Sequence, residues 1–421
     1  MMTTIKKPKE RVISKYPKSY RVLAIVGDGP HGLSMVRNMG MNGLCVLSVC
    51  KTRYARSRHS RYSTGVWALD VPADQAEFID EIEKLARQYD AGSIITLSEV
   101  NHLALIDNRD RFEPDICILS PAEKPFKKTL DKEYMRSLCE EIGVPVAKGV
   151  VLSEFLKDPQ QDMSYPRIMR TRHKHEEDAD RNAPWKVVYA FNEQEFNEQV
   201  EQVASIVDNV LVEECHPGVT YNISMLMHNG EPFFGGSYTG ENHYPVAGGV
   251  TVQRITRAIG APFEHAVNLL KALEYYEGNA SVCFRYNLET DEFIFTEINP
   301  RFGGATTTIT RAGFDIVFLV WQSHFEPDKM IKPHYSIGMR TRDFRGSVGW
   351  LRGILKGELV EPGGRQYSKL GAIASFLWHC GPWTYDDTLY WRDIKPYIME
   401  RVDMIVPHLP GFKKSRGRNQ K

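Results

Sequence analysis

The chain has 421 residues, and its 53 lysines and arginines match its 53 aspartates and glutamates, so the formal charge is zero. That balance excludes a polybasic nucleic-acid binder and an acidic tail protein. Hydrophobic residues make up 42% and charged residues 25%, the usage of an ordinary folded protein of enzyme size, and at roughly 100–200 residues per domain the length points to two or three domains.

In chain order, residues 22–26 read as an apolar strand. Gly27-Asp28-Gly29-Pro30-His31-Gly32, a helical stretch to about Met39 and a strand near 45–49 follow, the βαβ opening of a parallel sheet. The rhythm continues with a strand at 67–71, a helix over 73–89, a strand at 93–97, a helix after Glu99 and a strand near 116–119. A helical unit from Asp131 through Glu141 stops at Gly143-Val144-Pro145. Strand-like stretches at 167–171 and 185–190 flank a polar insert at 173–182, which reads as a mobile loop. Then come a helix over 193–207, strands at 209–214, 221–228, 231–236 and 249–256, a helix near 262–274 and a hairpin over 281–299 that turns near Glu289-Thr290-Asp291. A helix follows Gly303-Gly304, and the last part, about 330–421, is mixed and ends in a basic tail read as a solvated end.

The longest strongly apolar stretch, near 316–321, is too short to span a bilayer, and no apolar signal core follows the basic residues Lys6, Lys7, Lys9 and Arg11. Seven cysteines without any CxxC read as reduced thiols, which makes the cytoplasm the expected address. Cys45, Cys50 and Cys117 read as small core residues, and Trp350, Trp378, Trp383 and Trp391 as C-terminal packing residues. The irregular spacing of His173, His175, His216 and His228 lacks the geometry of a zinc site.

Two motifs carry chemistry. Gly27-x-Gly29-x-x-Gly32 matches the dinucleotide fingerprint, but no Asp or Glu stands between Leu44 and Val66 to hold ribose hydroxyls, so a tight turn is the better reading than NAD. The stronger signal is Glu297-Ile298-Asn299-Pro300-Arg301. On an extended strand Glu297, Asn299 and Arg301 project to one face. A carboxylate and a carboxamide oxygen side by side are hard ligands suited to Mg²⁺, which completes its octahedron with phosphate oxygens and water.

These residues resemble the metal-binding end of the ATP-grasp superfamily, close to its carbamoyl-phosphate-synthase-like and D-aspartate-ligase-like carboxylate–amine ligases. Thr129-Leu130-Asp131-Lys132 is similar to the segment whose lysine contacts nucleotide phosphate. Val210-Leu211-Val212-Glu213-Glu214-Cys215-His216-Pro217-Gly218 resembles the hinge strand that holds the adenine edge. Arg58-His59-Ser60-Arg61-Tyr62-Ser63, and the early glycine turn with Glu99, are similar to the N-terminal domain of the same ligases. The resemblance covers about residues 20–325. It implies an α/β and α+β chain: a Rossmann-like pre-ATP-grasp domain (1–122), a small helical segment with the first ATP-grasp lobe (123–212), a second lobe with the metal site (213–330) and a C-terminal extension with the basic tail (331–421).

Three departures qualify the pattern. Arg170 stands where the family usually has a lysine, and arginine differs from lysine in reach and hydration. The charged insert replaces the glycine-rich lid, and the usual third metal ligand falls at Cys283 or Arg285, neither a good Mg²⁺ ligand. His243, Arg254 and Arg257 flank Gly248-Gly249 as a second contact region for phosphate or carboxylate.

The resemblance implies an ATP-dependent ligase that joins a carboxylate to an amine through an acyl phosphate, releasing ADP and phosphate. Its cofactors would be ATP and Mg²⁺, with Mn²⁺ as the alternative ion. Glu297 and Asn299 would hold the metal, Lys132, Arg170 and Lys186 phosphate oxygens, Glu213, Glu214 and Cys215 the adenine and ribose edge, and Arg301 would steady the acyl phosphate. The partners are small-molecule carboxylates and amines, with no nucleic acid or membrane, and a homodimer is common among similar ligases. The competing reading is a degenerate nucleotide-binding or regulatory protein without turnover.

Overall fold

The computed structural model describes residues 2–69, 75–158, 163–173, 184–185, 187–287 and 289–405, and the chain divides into two compact units. The first comprises residues 1–95, 110–117 and 386 onward, the second residues 96–109 and 118–385. The stretch read as one C-terminal extension is therefore shared between them.

The first unit is built on a six-stranded sheet of β1 (Thr3–Lys6), β2 (Arg21–Val26), β3 (Cys45–Cys50), β4 (Ser63–Ala68), β5 (Ser93–Thr96) and β6 (Cys117–Ile118), in the order β1-β4-β3-β2-β5-β6. β2, β3 and β4 are parallel neighbours, and β1 joins antiparallel to β4. Continuous apolar runs are what a parallel sheet covered on both faces requires, and all six residues of Cys45–Cys50 are buried. The glycine turn does what tight βα turns do: a Cβ at Gly32 would stand 2.5 Å from the Gly27 carbonyl oxygen. Asp28 accepts from the Thr52 backbone at 3.1 Å and its hydroxyl at 2.6 Å, so the acid inside the motif anchors the neighbouring loop. Of the strand expected at 67–71, residues 70–71 lie outside the described residues, and the strand begins earlier, at Ser63, where its pairing with β3 starts at Val46↔Ser63.

The second unit carries two antiparallel sheets. The smaller has four strands, β7 (Gly149–Val151), β8 (Arg167–Thr171), β9 (Val187–Ala190) and β10 (Val210–Glu214), in the order β7-β10-β8-β9. The helices Leu152–Phe155 and Glu193–Gln202 contribute Leu152, Phe155 and Phe196 to its core with Met169, Val210 and Val212. The larger sheet has seven strands: β11 (Val219–His228), β12 (Glu231–Tyr244), β13 (Val250–Arg257), β14 (Gly278–Tyr286), β15 (Phe293–Asn299), β16 (Arg340–Arg342) and β17 (Thr384–Asp386). Their order is β15-β14-β11-β12-β13-β16-β17. The strand expected at 231–236 continues to Tyr244 through irregular pairing at Gly240, Asn242 and His243. One face buries Tyr221, Ile223, Phe284, Phe295 and Ile298 against Leu269 and Leu270 of the helix Pro262–Ala272.

The helices Phe344–Lys356 and Lys369–Trp378 meet β12 and β13 around buried Trp350. The other three tryptophans do not fill a core: Trp378, Trp383 and Trp391 are 55%, 47% and 83% exposed. Among the described residues no helix is long and apolar enough to cross a membrane.

Candidate active site

The site grows from the alternation of β15. Phe295 and Ile298 turn inward and are buried, while Glu297 and Asn299 stand on the other side at positions opposite Cys283 and Ser281 of β14. The Asn299 amide donates to Glu297 Oε1 at 2.8 Å and lies 3.6 Å from the Cys283 sulfur. The carboxylate and the carboxamide thus sit side by side, as the period-two reading requires.

Arg170 of β8 and Glu213 of β10 are diagonal neighbours on the smaller sheet, since Ile168 pairs with Glu213 and Arg170 with Leu211. The guanidinium meets the carboxylate with both edges, Nη2 donating to Oε1 at 2.7 Å and Nε lying 2.6 Å from Oε2. Its Nη1 donates to the Thr296 carbonyl at 3.0 Å, which ties the smaller sheet to β15. Burial works against this charge, but Glu213, and after it Glu297, outweigh burial and hold the guanidinium above its ordinary pKa. Arg170 therefore sits within the electrostatic reach of Glu297, with a protein partner already in place.

Arg301 is also engaged. Its Nε donates to Glu99 Oε1 at 2.9 Å, and Glu99, at the start of the helix Glu99–Asp107, is 5% exposed. His102 lies on the same helix, with Nδ1 2.9 Å from the Ser120 hydroxyl. Burial first, then the charge of Arg301, pushes its pKa down to about 3, so the ring stays neutral at physiological pH. A cavity of about 10 Å³, roughly room for one water, lies beside Arg301 between Tyr238, Ser281 and Thr306.

The remaining candidates are spread around this core. Asp131 caps the helix Lys132–Glu141 by accepting from the Glu133 and Tyr134 backbones, and the Lys132 ammonium donates to the Thr171 carbonyl. Glu213, placed in sequence at the adenine edge, is 4% exposed and directs its carboxylate to Arg170. Glu214 accepts from the Ser164 backbone at 3.2 Å, and the Cys215 backbone bonds the Pro166 carbonyl at 3.2 Å. Burial pushes the half-buried Cys215 thiol up. Lys186, and the insert at 174–182 that follows His173, lie outside the described residues. Arg254, 1% exposed, donates to the Gly304 carbonyl at 2.9 Å.

Sequence reasoning missed the partners of these groups. Glu99 is 202 positions from Arg301, and Glu361, which binds Arg285 and stands 3.1 Å from His243 Nδ1, is 76 positions from Arg285. No local pattern announces pairs at such separations. Among the described residues no cluster of three or more His, Cys, Asp or Glu could hold a metal. The Glu297 carboxylate and the Asn299 carboxamide oxygen are donors of the kind Mg²⁺ takes, and an ion so held would leave its other positions to phosphate and water.

Solved structures share this architecture. A biotin carboxylase domain of 2-oxoglutarate carboxylase from Hydrogenobacter thermophilus, crystallised with MgADP, ADP and bicarbonate, matches with a TM-score of 0.57 and 15% identity over 76% of this chain and 73% of that one. N5-carboxyaminoimidazole synthetase from Staphylococcus aureus matches at 0.57 and 12% identity over 85% and 96%. An L-amino acid ligase from Bacillus licheniformis matches at 0.54 and 16% identity over 74% and 76%. No protein-family model matches the sequence, and no curated protein does. The chain has the ATP-grasp fold, in agreement with the architecture expected from its sequence.

Proposed function

We propose that the chain is an ATP-dependent carboxylate–amine ligase that forms an amide through an acyl phosphate and releases ADP and phosphate. The observation that carries this reading is the placement of Glu297 and Asn299 side by side on β15 of an ATP-grasp fold, with Arg301 two residues beyond. A carboxylate attacks the γ-phosphate only when the phosphate's charge is offset, and bound Mg²⁺ would supply part of that offset. Glu297 and Asn299 hold the ion in this reading. Lys132 and Arg170 lend positive charge, and Lys186 joins them as in the sequence reading.

Arg301, paired with Glu99, would face the acid and the acyl phosphate formed from it. The Glu213, Glu214 and Cys215 backbone holds the adenine edge. Exclusion of water matters because an acyl phosphate hydrolyses readily. The amine then attacks the acyl carbon, the C–N bond forms, the C–O bond to phosphate breaks, and the amine's proton leaves to solvent.

Glu297→Ala tests the assignment. ADP release from acid and amine pairs should vanish, the stabilisation of the protein by ATP with Mg²⁺ should be lost, and the ligand-free melting temperature should stay near that of the natural chain. Full turnover in the variant would sink the reading. A second reading, a nucleotide-binding protein without turnover, is favoured by one observation: Arg170 is held by Glu213 and Thr296. It requires ATP to stabilise the protein equally with and without Mg²⁺, and no ADP release with any pair.

A further inference from the structure

A second cavity, of about 660 Å³, lies where the helices Phe344–Lys356 and Lys369–Trp378 meet the ends of β12 and β13. Its two inward arginines stand on the face of the sheet opposite Glu297. Cross-strand partners share a face, and Tyr221↔Thr239, Ser237↔Arg257 and Ile255↔Arg340 place Thr239, Arg257 and Arg340 on the face of Tyr221. Tyr221 also pairs with Phe284 and belongs to the apolar core. Cys283, next to Phe284 and opposite Glu297, points to the other face. The cavity's arginines and the proposed metal ligands therefore stand on opposite sides of one sheet.

Its charges do not cancel. Each of its two acids has a basic partner. Glu361 binds Arg285 and lies 3.1 Å from His243 Nδ1, and Glu241 lies 3.1 Å from His379 Nε2. His379 Nδ1 meets the Ser375 carbonyl at 2.8 Å. Burial opposes charge on Glu241, but His379, then Arg340 and Arg257, hold its carboxyl below the ordinary value. That leaves a surplus of cations. Arg257 donates through Nε to the neutral Thr239 hydroxyl at 3.0 Å, Arg340 is half-buried beside it, and Arg365 lies on the rim. Val246, Val360, Tyr367, buried Trp350 and the exposed Trp378, whose ring stands 4.5 Å from that of Trp383, form the apolar part of the wall, and Asn242, Ser375 and glycine backbone complete it. Convergent cations beside an aromatic, apolar stretch of wall fit a ligand with an anionic head and an apolar body.

We propose that this cavity binds a small organic acid, its carboxylate held by Arg257 and Arg340 on the face of the sheet opposite Glu297 and its apolar body by Trp350 and Trp378. The inference goes beyond the ligase reading and needs no turnover to be tested.

The experiment is calorimetric titration of the full chain, without ATP, with phenylacetate, with phenethylamine as its cationic counterpart of similar shape, and with acetate. Phenylacetate should bind saturably at one site, phenethylamine should give no saturable heat, and acetate should bind at least about tenfold more weakly. Arg257→Gln combined with Arg340→Gln should weaken phenylacetate at least about tenfold. Trp378→Ala, at a position more than half exposed, should weaken it without lowering the melting temperature, and serves should the double variant fail to fold. Saturating ATP with Mg²⁺ should leave the phenylacetate titration in place. Equal binding of acid and amine, no saturation by about 10 mM phenylacetate, unchanged binding in Trp378→Ala, or displacement by ATP would each overturn the proposal.

Discussion

Arg170 shows how much a single side chain in this site is asked to do. It carries its charge into a largely but not fully buried position, satisfies Glu213 with two contacts and holds the Thr296 carbonyl, the residue before Glu297. Removing one partner of a buried ion pair leaves the other charge without compensation, typically at about 3–5 kcal/mol. Arg170→Ala should therefore cost about that much in urea denaturation. Arg170→Lys should recover part of it, because a lysine supplies charge without the planar fork. A loss below about 1 kcal/mol in Arg170→Ala would show that the pair contributes little beyond a surface contact. The residue type at 170 was legible in the sequence, and its occupation by Glu213 was not, since the pairing depends on the register of β8 against β10.

At the scale of elements, β14 is tied to the loop that follows the helix Phe344–Lys356 through Arg285, Glu361 and His243. Burial alone would raise the Glu361 carboxyl, yet His243 and Arg285 overcome burial and hold it at about 2, against an ordinary value of 4.5. A carboxyl depressed in the folded state stabilises the fold above its unfolded pKa and loses that contribution as pH falls through the folded one. The window is thus about pH 4.5 down to about 2. At 1.36 kcal/mol per pKa unit the contribution at neutral pH is about 3 kcal/mol. Glu361→Gln should be destabilised by about that amount at pH 7, with the gap to the natural chain closing as pH falls through this window. A gap independent of pH would assign the effect to packing. The elements themselves were largely legible: the alternation of 293–299 and the glycine turn at Gly27 specify their strands by local chemistry. The extension of β12 to Tyr244 was not, because irregular pairing with β13 carries a strand beyond its simple alternating pattern.

At the scale of the whole molecule, the chain returns to its first unit at the end. Arg37, 4% exposed, donates to Asp393 Oδ2 at 2.9 Å and to the Thr388 carbonyl at 3.0 Å. Arg56 pairs with Glu400 at 2.5 Å, and the Ser60 hydroxyl donates to Asp393 at 2.7 Å. Ending the chain at Tyr385 should leave Arg37 buried without its acid and loosen the first unit selectively. Hydrogen exchange should then accelerate in the amides of Arg21–Val26 and Cys45–Cys50, while those of β10 and β14 keep their protection. Unchanged exchange in β2 and β3 would show that the returning segment adds nothing to that unit's stability.

The sequence by itself determined what depends on neighbours along the chain: which stretches are strands or helices, where glycine and proline end them, and that Glu297 and Asn299 share one face. These follow from steric preference and side-chain periodicity, which act over a few residues. Only the tertiary structure decided the partners: Glu213 for Arg170, Glu99 for Arg301, Glu361 for Arg285, and a cationic cavity assembled from β12, β13 and two late helices. Such pairings form because a charge withdrawn from water must find a counter-charge in space. The distance in sequence at which it finds one is set by sheet order and chain return, which no local pattern encodes.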